Sequence, residues 1–194
     1  AAIGPAGEQR VRFASIVADR TFQAARMGMG AVMGAKRLKA VAIAGGNTPA
    51  PADPDTLARL TRSFGERIPG NALSRWQRDP PGFACWLYLH GLDAALCVNN
   101  YRRPIIAGAD NYRAEEFLKR YAGECPCPGC PNHCIKRMHP LGRSDLDPRA
   151  SGIHQEVTGT MGINLGIVDL DWVLSANNFC NQNGLDPTSL GFTL

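Results

Sequence analysis

Four cysteines fall within ten residues, at Cys125, Cys127, Cys130 and Cys134. A disulfide-stapled secreted domain spreads its cysteines out, so this density points to a metal site in a reducing compartment, the cytoplasm. It also constrains the backbone. Two and then three residues separate Cys127, Cys130 and Cys134, which lets three thiolates meet one inorganic centre. Pro128, Gly129 and Pro131 keep the loop out of regular helix and free its N–H groups to face sulfur. Four-iron clusters take four ligands, commonly three close together and one distant. Zinc is the alternative, with Cys125, His133 or His139 completing a tetrahedron. Structural zinc sites usually show two Cys-x-x-Cys knuckles or a downstream His pair. One knuckle is present here, so the spacing favours iron–sulfur modestly. Cys85, Cys97 and Cys180 bring the total to seven, an odd number that cannot all pair internally. They lie on apolar stretches and are expected in the core.

The 194 residues allow one large domain or two small ones. With 44% apolar and 20% charged residues, general disorder is excluded. The net charge of +4 is a mild excess that gives no reason to expect nucleic acid. No apolar stretch approaches the roughly 20 residues of a membrane span, and the N-terminus lacks the basic region and apolar core of a signal peptide. With no starting Met and an end just after a Gly-rich turn, the chain reads as a piece of a longer protein.

Composition shifts near residue 50. Before it, residues 11–18 mix β-branched and aromatic side chains and predict a strand, after a turn at Gly4-Pro5-Ala6-Gly7. Residues 39–44 predict a second strand. A Gly-rich crossing over 26–34 lies between them, and Pro49, Pro51 and Pro54 make a linker. After it the pattern turns helical. Asp53 can cap a helix with Pro54 at its first position and an apolar stripe of Leu57, Leu60, Phe64 and Ile68. A second helix is predicted over 112–121, burying Ala114, Phe117, Leu118 and Tyr121. A third follows Asp169 and runs to Asn183, with Trp172, Val173, Ala176, Phe179 and Cys180 as its stripe and Gly184 ending it. Trp86, Leu87, Leu89, Leu92 and Leu96 suggest helix in a stretch broken by prolines.

Three further segments could carry chemistry. Gly28, Gly30 and Gly34 sit between Arg26 and Lys36, Arg37 and Lys39. Glycines let backbone approach an anion that the cations neutralise. The segment is neither a Walker loop nor a dinucleotide fingerprint, and a tight packing turn with solvated basic flanks is the favoured reading of these residues alone. Glu156 stands among few other charges and could act as a general base, although a lone Glu is usually just solvated. Asn177, Asn178, Asn181, Gln182 and Asn183 crowd a helix end before Gly184-Leu185-Asp186. That pattern is a plain cap and turn, or a set of amides and a carboxylate presented to a polar heterocycle.

Together these segments resemble the tungsten-dependent aldehyde ferredoxin oxidoreductase family. The matching stretches are residues 3–8 with Arg12-Phe13-Ala14, residues 26–40, the Cys127, Cys130, Cys134 cluster, residues 162–167, and residues 180–186. Five stretches in the family's order make the resemblance specific. It implies an α+β fold: residues 1–50 are the end of a β-rich base under the pterins, and residues 51–194 a mostly helical domain. It implies an enzyme that oxidises aldehydes to carboxylic acids and passes electrons to ferredoxin or a similar carrier, without membrane or nucleic acid, and allows a homo-oligomer. The implied cofactors are tungsten (or molybdenum) held by two pterins, a four-iron four-sulfur cluster, and magnesium bridging the pterin phosphates. The resemblance gives cluster ligation to Cys127, Cys130 and Cys134, and pterin-phosphate contact to Arg26 and the backbone of Met27, Gly28 and Met29. It gives the first pterin motif to Asn181, Leu185 and Asp186, and the active-site glutamate to Glu156. The family's fourth cluster cysteine and second pterin motif lie outside this chain, so the piece alone is expected to turn over no aldehyde. Two departures stand out. Asn181 replaces an acid that usually opens the pterin motif, keeping hydrogen bonding but losing charge. His154-Gln155-Glu156 replaces the usual Glu-Tyr-Glu.

Overall fold

The computed structural model describes residues 1–46, 49–85, 97–104 and 106–194; the helix expected around Trp86 to Leu96 lies outside them. The N-terminal part is a three-stranded antiparallel sheet, β1 (Ala2–Ile3), β2 (Ile16–Ala18) and β3 (Phe22–Ala24), in that order. Ile3 stands opposite Ile16, and Val17 opposite Gln23. The strand predicted over 11–18 forms only in its last three residues. The reason is local. Ala14 N bonds the Val11 carbonyl at 2.8 Å, closing a turn, and Ser15 N reaches the Gly184 carbonyl at 2.8 Å. The strand predicted over 39–44 is also overturned. It pairs with β1 only at Ala40, opposite Ala2. With β1 two residues long there is nothing further to pair with, and Ile43 is 93% exposed.

Gly4-Pro5-Ala6-Gly7 opens a one-turn helix, α1 (Pro5–Glu8), with Pro5 at its first position. The Gly-rich segment is not an irregular crossing throughout. A 3-10 turn (Arg26–Gly28) leads into α2 (Met29–Ala35). Its glycines permit backbone contact. Gly30 N bonds the Ala14 carbonyl at 2.9 Å, and a Cβ on Gly34 would run into the Gly7 carbonyl oxygen of α1. Gly34→Ala therefore sets two effects against each other. Alanine gains about 1 kcal/mol in helix propensity, whereas forcing two backbones apart costs about 1–3 kcal/mol. We expect net destabilisation, read as a lower midpoint of thermal unfolding; an unchanged or raised midpoint would remove the close-packing account.

Beyond the linker, α3 (Pro54–Arg67) starts as expected, with the Asp53 carboxylate accepting from Thr56 N at 2.9 Å and Pro54 at its first position. Its stripe is not buried: Leu57, Leu60 and Phe64 are 51%, 54% and 60% exposed, and only Ile68, just past the helix, is covered. Periodicity identifies an apolar face but not what covers it. α4 (Ala72–Arg78) is capped by Asn71.

The region expected to be mostly helical contains a second antiparallel sheet, β4 (Tyr121–Glu124), β5 (Lys136–Met138) and β6 (Gly152–Ile153). This shortens the helix predicted over 112–121. Tyr112 belongs to a preceding 3-10 turn, α5 covers only Ala114–Leu118, and Tyr121 opens β4. Phe117 is buried as expected, but Leu118 and Tyr121 are exposed. One helical turn, α6 (Gln155–Val157), widens into a π-turn over Thr158–Gly162.

α7 (Leu170–Asn183) has the expected limits. Asp169 accepts from Trp172 N at 3.1 Å, and Gly184 ends the helix at φ 67°. Its inward face differs from the predicted stripe. Val173 and Cys180 are buried together with Leu170, Leu174, Asn177, Asn178 and Asn181, while Trp172 and Phe179 face out. α8 (Pro187–Thr193) follows, capped by Asp186. The main core gathers Cys85, Phe117, Met138, Ile153, Met161, Val173 and Leu174. Cys97 and Cys180 are buried too, as expected of plain core thiols. The N-terminal sheet is tied to α7 and its C-terminal turn by a bridge between Ala14 and Leu185 and by Asp186 N bonding the Phe13 carbonyl at 3.0 Å.

Candidate cofactor cavity and metal centre

A cavity of about 450 Å³ opens where β3, α6, α7 and the start of α8 meet. Four of the site residues that the resemblance implies line it, Arg26, Glu156, Asn181 and Asp186, together with Asn177 from the same helix end as Asn181. They come from segments up to 160 residues apart in the chain, from Arg26 to Asp186, and only the fold assembles them. Met27, Gly28, Met29 and Leu185 do not line it. Leu185 pairs with Ala14, and the Met27 side chain is 88% exposed.

Arg26 is exposed, with no carboxylate partner among the described residues. Next to it the backbone is strained. Met27 adopts φ 79°, in the left-handed region that L side chains pay about 1–2 kcal/mol to enter. Gly28 follows at φ 70°, and a Cβ there would strike the Arg12 carbonyl. Strain of this kind persists where the surrounding structure fixes it, often beside ligands.

Glu156 begins the exposed side of α6, and its Oε2 contacts Nδ1 of His154. Burial pushes the His154 imidazole down to about 4, so it is neutral at neutral pH. A neutral ring facing a carboxylate through Nδ1 carries its proton there and leaves Nε2 as an acceptor. The ring is held from behind by Phe83, with centroids 4.3 Å apart. In the sequence His154 stands out only as a departure from a pattern; its contact with Glu156 and its place on the cavity wall come from the fold.

Asn181 is buried with its amide in use. Nδ2 donates to the Ala150 carbonyl at 2.8 Å, and Oδ1 accepts from Gln23 Nε2 at 2.6 Å. Gln23 was missed in the sequence. It lines the same cavity, and its Oε1 is buried without a partner. A polar heterocycle with ring and exocyclic N–H donors is the kind of ligand such an orphaned acceptor fits. Asp186 serves first as the cap of α8, accepting from Thr188 N at 3.0 Å, from Ser189 N at 3.2 Å and from the Ser189 hydroxyl. The plain cap-and-turn reading of Gly184-Leu185-Asp186 is thus realised, on the cavity wall.

The cysteine cluster forms the loop between β4 and β5. Cys130 N bonds the Cys127 carbonyl at 3.0 Å, and Gly129 takes φ 73°. Asn132 Nδ2 donates to Gln77 Oε1 of α4 at 2.8 Å, and Phe83 N bonds the Cys134 carbonyl at 3.1 Å. The loop is therefore anchored without using its thiols. Burial pushes the Cys134 thiol up, and the charges of Cys130 and Cys127 push it further. Cys125 is buried, and its N–H bonds the Ile135 carbonyl at 3.1 Å. Burial pushes its thiol up, and the charge of Cys127 acts on it as well. Among the described residues no three Cys, His, Asp or Glu side chains are grouped to hold one metal ion, and His139 Nε2 faces the Arg143 carbonyl at 2.9 Å. Cys127 is exposed and Cys130 and Cys134 are half-buried, so all three thiols are accessible to an inorganic centre. Ile135, directly after Cys134, lines the cavity, so loop and cavity share a wall.

Residues 1–45 match the N-terminal domain of aldehyde ferredoxin oxidoreductase, and residues 64–194 match its domains 2 and 3. The whole chain aligns at 32% identity with a tungsten-containing aldehyde ferredoxin oxidoreductase of Pyrococcus furiosus, and at 31% with one of Thermococcus kodakarensis, covering 32% of each relative's length. An aliphatic sulfonate oxidoreductase, WOR-like subunit, of Pyrococcus furiosus is 29% identical over 97% of the chain and 30% of its own length. The chain thus spans about a third of the curated relatives it matches. With both regions matched and full-length similarity at this level, the chain belongs to the aldehyde ferredoxin oxidoreductase family.

Proposed function

We propose that the chain is part of a tungsten- or molybdenum-pterin oxidoreductase that converts a small aldehyde to a carboxylic acid and delivers the electrons to ferredoxin or a similar carrier. One observation carries the reading: Arg26, Glu156, Asn181 and Asp186 surround one cavity, and the cysteine loop shares its wall through Ile135. When bound, the pterin-held metal and the cluster supply the redox chemistry and carry the electrons outward.

The chain's own residues bind, orient and move protons. Arg26, whose guanidinium is always charged, would share with magnesium the neutralisation of pterin phosphate, with the strained backbone at Met27, Gly28 and Met29 beside it. Gln23 offers its free Oε1 to a pterin N–H and is held in place by Asn181. Asp186 and Leu185 fix the turn on which that wall stands. Cys127, Cys130 and Cys134 ligate the cluster. Oxidising an aldehyde with water releases two protons with two electrons. Glu156 accepts one of these protons, with Oε2 held by the Nδ1–H of His154 and Oε1 left to receive it.

The test is metal analysis of the intact natural protein. We expect iron together with tungsten or molybdenum, and a broad brown visible absorption. A colourless protein containing zinc alone would sink the reading.

A further inference from the structure

We infer that Lys136 sets the reduction potential of the cluster held by Cys127, Cys130 and Cys134, acting as a fixed buried cation beside it; this rests on the cluster reading above. Lys136 opens β5, two residues after Cys134. Its side chain is 0% exposed. Lysine is almost never fully buried unless paired, because stripping water from an ammonium costs several kcal/mol.

The pairing is specific. Nζ donates to the carbonyl of His133, inside the cysteine loop, at 2.6 Å, and to Glu124 Oε2 at 2.7 Å. The His133 carbonyl belongs to the peptide that joins His133 to Cys134, so the charge is anchored at the backbone of a ligand. The stem is accommodated by Gly82, at φ 67°, where a Cβ would lie 2.8 Å from both Lys136 Cγ and the Cys134 carbonyl oxygen. The two partners differ in exposure. Glu124 is 41% exposed, and its other oxygen accepts from the Tyr121 hydroxyl at 2.9 Å. Its charge is screened by water, while the ammonium is not. The imbalance leaves a net positive field on the inner side, towards the loop.

A mere tether for the His133 carbonyl needs only a neutral donor. A full charge matters when the neighbour changes its own charge. Reduction adds one electron to the cluster, and cluster potentials follow local charge, hydrogen bonding and exposure. A fixed cation in a low-dielectric setting favours the reduced form.

The experiment uses the intact, cofactor-loaded protein and reads the cluster's midpoint potential by dye-mediated redox titration followed by electron paramagnetic resonance. Lys136→Met should lower the potential. At the parent's midpoint the oxidised-to-reduced ratio should rise at least tenfold, which corresponds to about 59 mV for one electron. Lys136→Arg should stay within about threefold. Glu124→Gln keeps the buried cation and removes its screened partner, so the potential should rise. Opposite signs from Lys136→Met and Glu124→Gln cannot come from general loosening of the loop. If Lys136→Met loses its iron, Lys136→Gln, which keeps a neutral donor for the His133 carbonyl, decides: a downward shift supports the inference and an unmoved potential overturns it. A parent with a normal cluster whose potential ignores these substitutions overturns this inference alone. A parent with no cluster overturns the functional reading as well.

Discussion

Changing any one of Cys127, Cys130 or Cys134 to Ala in the intact protein is expected to bleach the brown absorption and release the iron, leaving the fold in place. Two parts of the structure lead to this. Cys127, Cys130 and Cys134 lie within eight residues of one loop, so removing one leaves a cluster under-ligated. The loop's anchors are elsewhere: Asn132 on Gln77, Phe83 N on the Cys134 carbonyl, and Cys125 N on the Ile135 carbonyl. None of them passes through sulfur. Substitution at exposed or half-exposed loop positions typically changes stability by less than about 0.5 kcal/mol, so far-ultraviolet circular dichroism should match the parent. Cys125→Ala is the internal comparison. That thiol is buried and stands outside the two-and-three spacing of the other three, and its loss should leave the iron in place. Retained iron and an unchanged spectrum in the first three variants would refute cluster ligation, and bleaching by Cys125→Ala would make Cys125 the missing fourth ligand.

The cysteine loop was legible because ligand spacing and Pro-Gly content act locally. The same holds for the ends of α3 and α7, where Asp53, Asp169 and Gly184 do their capping within one turn. What failed depended on distant partners. Residues 39–44 carry strand-forming side chains, but β1 offers only two residues to pair with. β5 is a Lys-Arg-Met strand with no apolar alternation to announce it, and it forms because β4 and β6 flank it. The stripe of α7 was misread for a related reason. Buried asparagines there are satisfied by carbonyls from another segment: Asn177 Nδ2 bonds the Gly152 carbonyl at 2.9 Å, and Asn178 Nδ2 bonds the Asp147 carbonyl at 2.7 Å. A polar residue is buried only where such partners exist, and they lie about 25–30 residues upstream, beyond any helical period. For the cavity, family resemblance supplied Arg26, Glu156, Asn181 and Asp186, while Gln23 and His154 emerged only from their contacts.

Glu156→Gln in the intact enzyme is expected to leave tungsten and iron content normal and to lower turnover at least tenfold. Proton transfer by a placed side chain typically contributes about 100- to 10,000-fold, so tenfold is a cautious threshold. The substitution is chosen to separate chemistry from folding. The Glu156 carbonyl accepts from the Thr160 hydroxyl at 2.6 Å, and glutamine keeps that bond. The side chain is half exposed, so stability should move by less than about 0.5 kcal/mol. Glutamine can still accept from the His154 Nδ1–H through its carbonyl oxygen, so orientation survives and only the basic oxygen is lost. His154→Phe makes the complementary change. It preserves a ring against Phe83 while removing the N–H that holds Glu156, so the carboxylate remains basic but loses its fixed direction. Turnover should fall by less than in Glu156→Gln, and the double variant should be no slower than Glu156→Gln alone, because His154 acts only through Glu156. Turnover of Glu156→Gln within about twofold of the parent would return Glu156 to the role of a solvated surface carboxylate. A double variant slower than Glu156→Gln alone would keep Glu156 as the base and give His154 a separate task in the cavity, through its free Nε2.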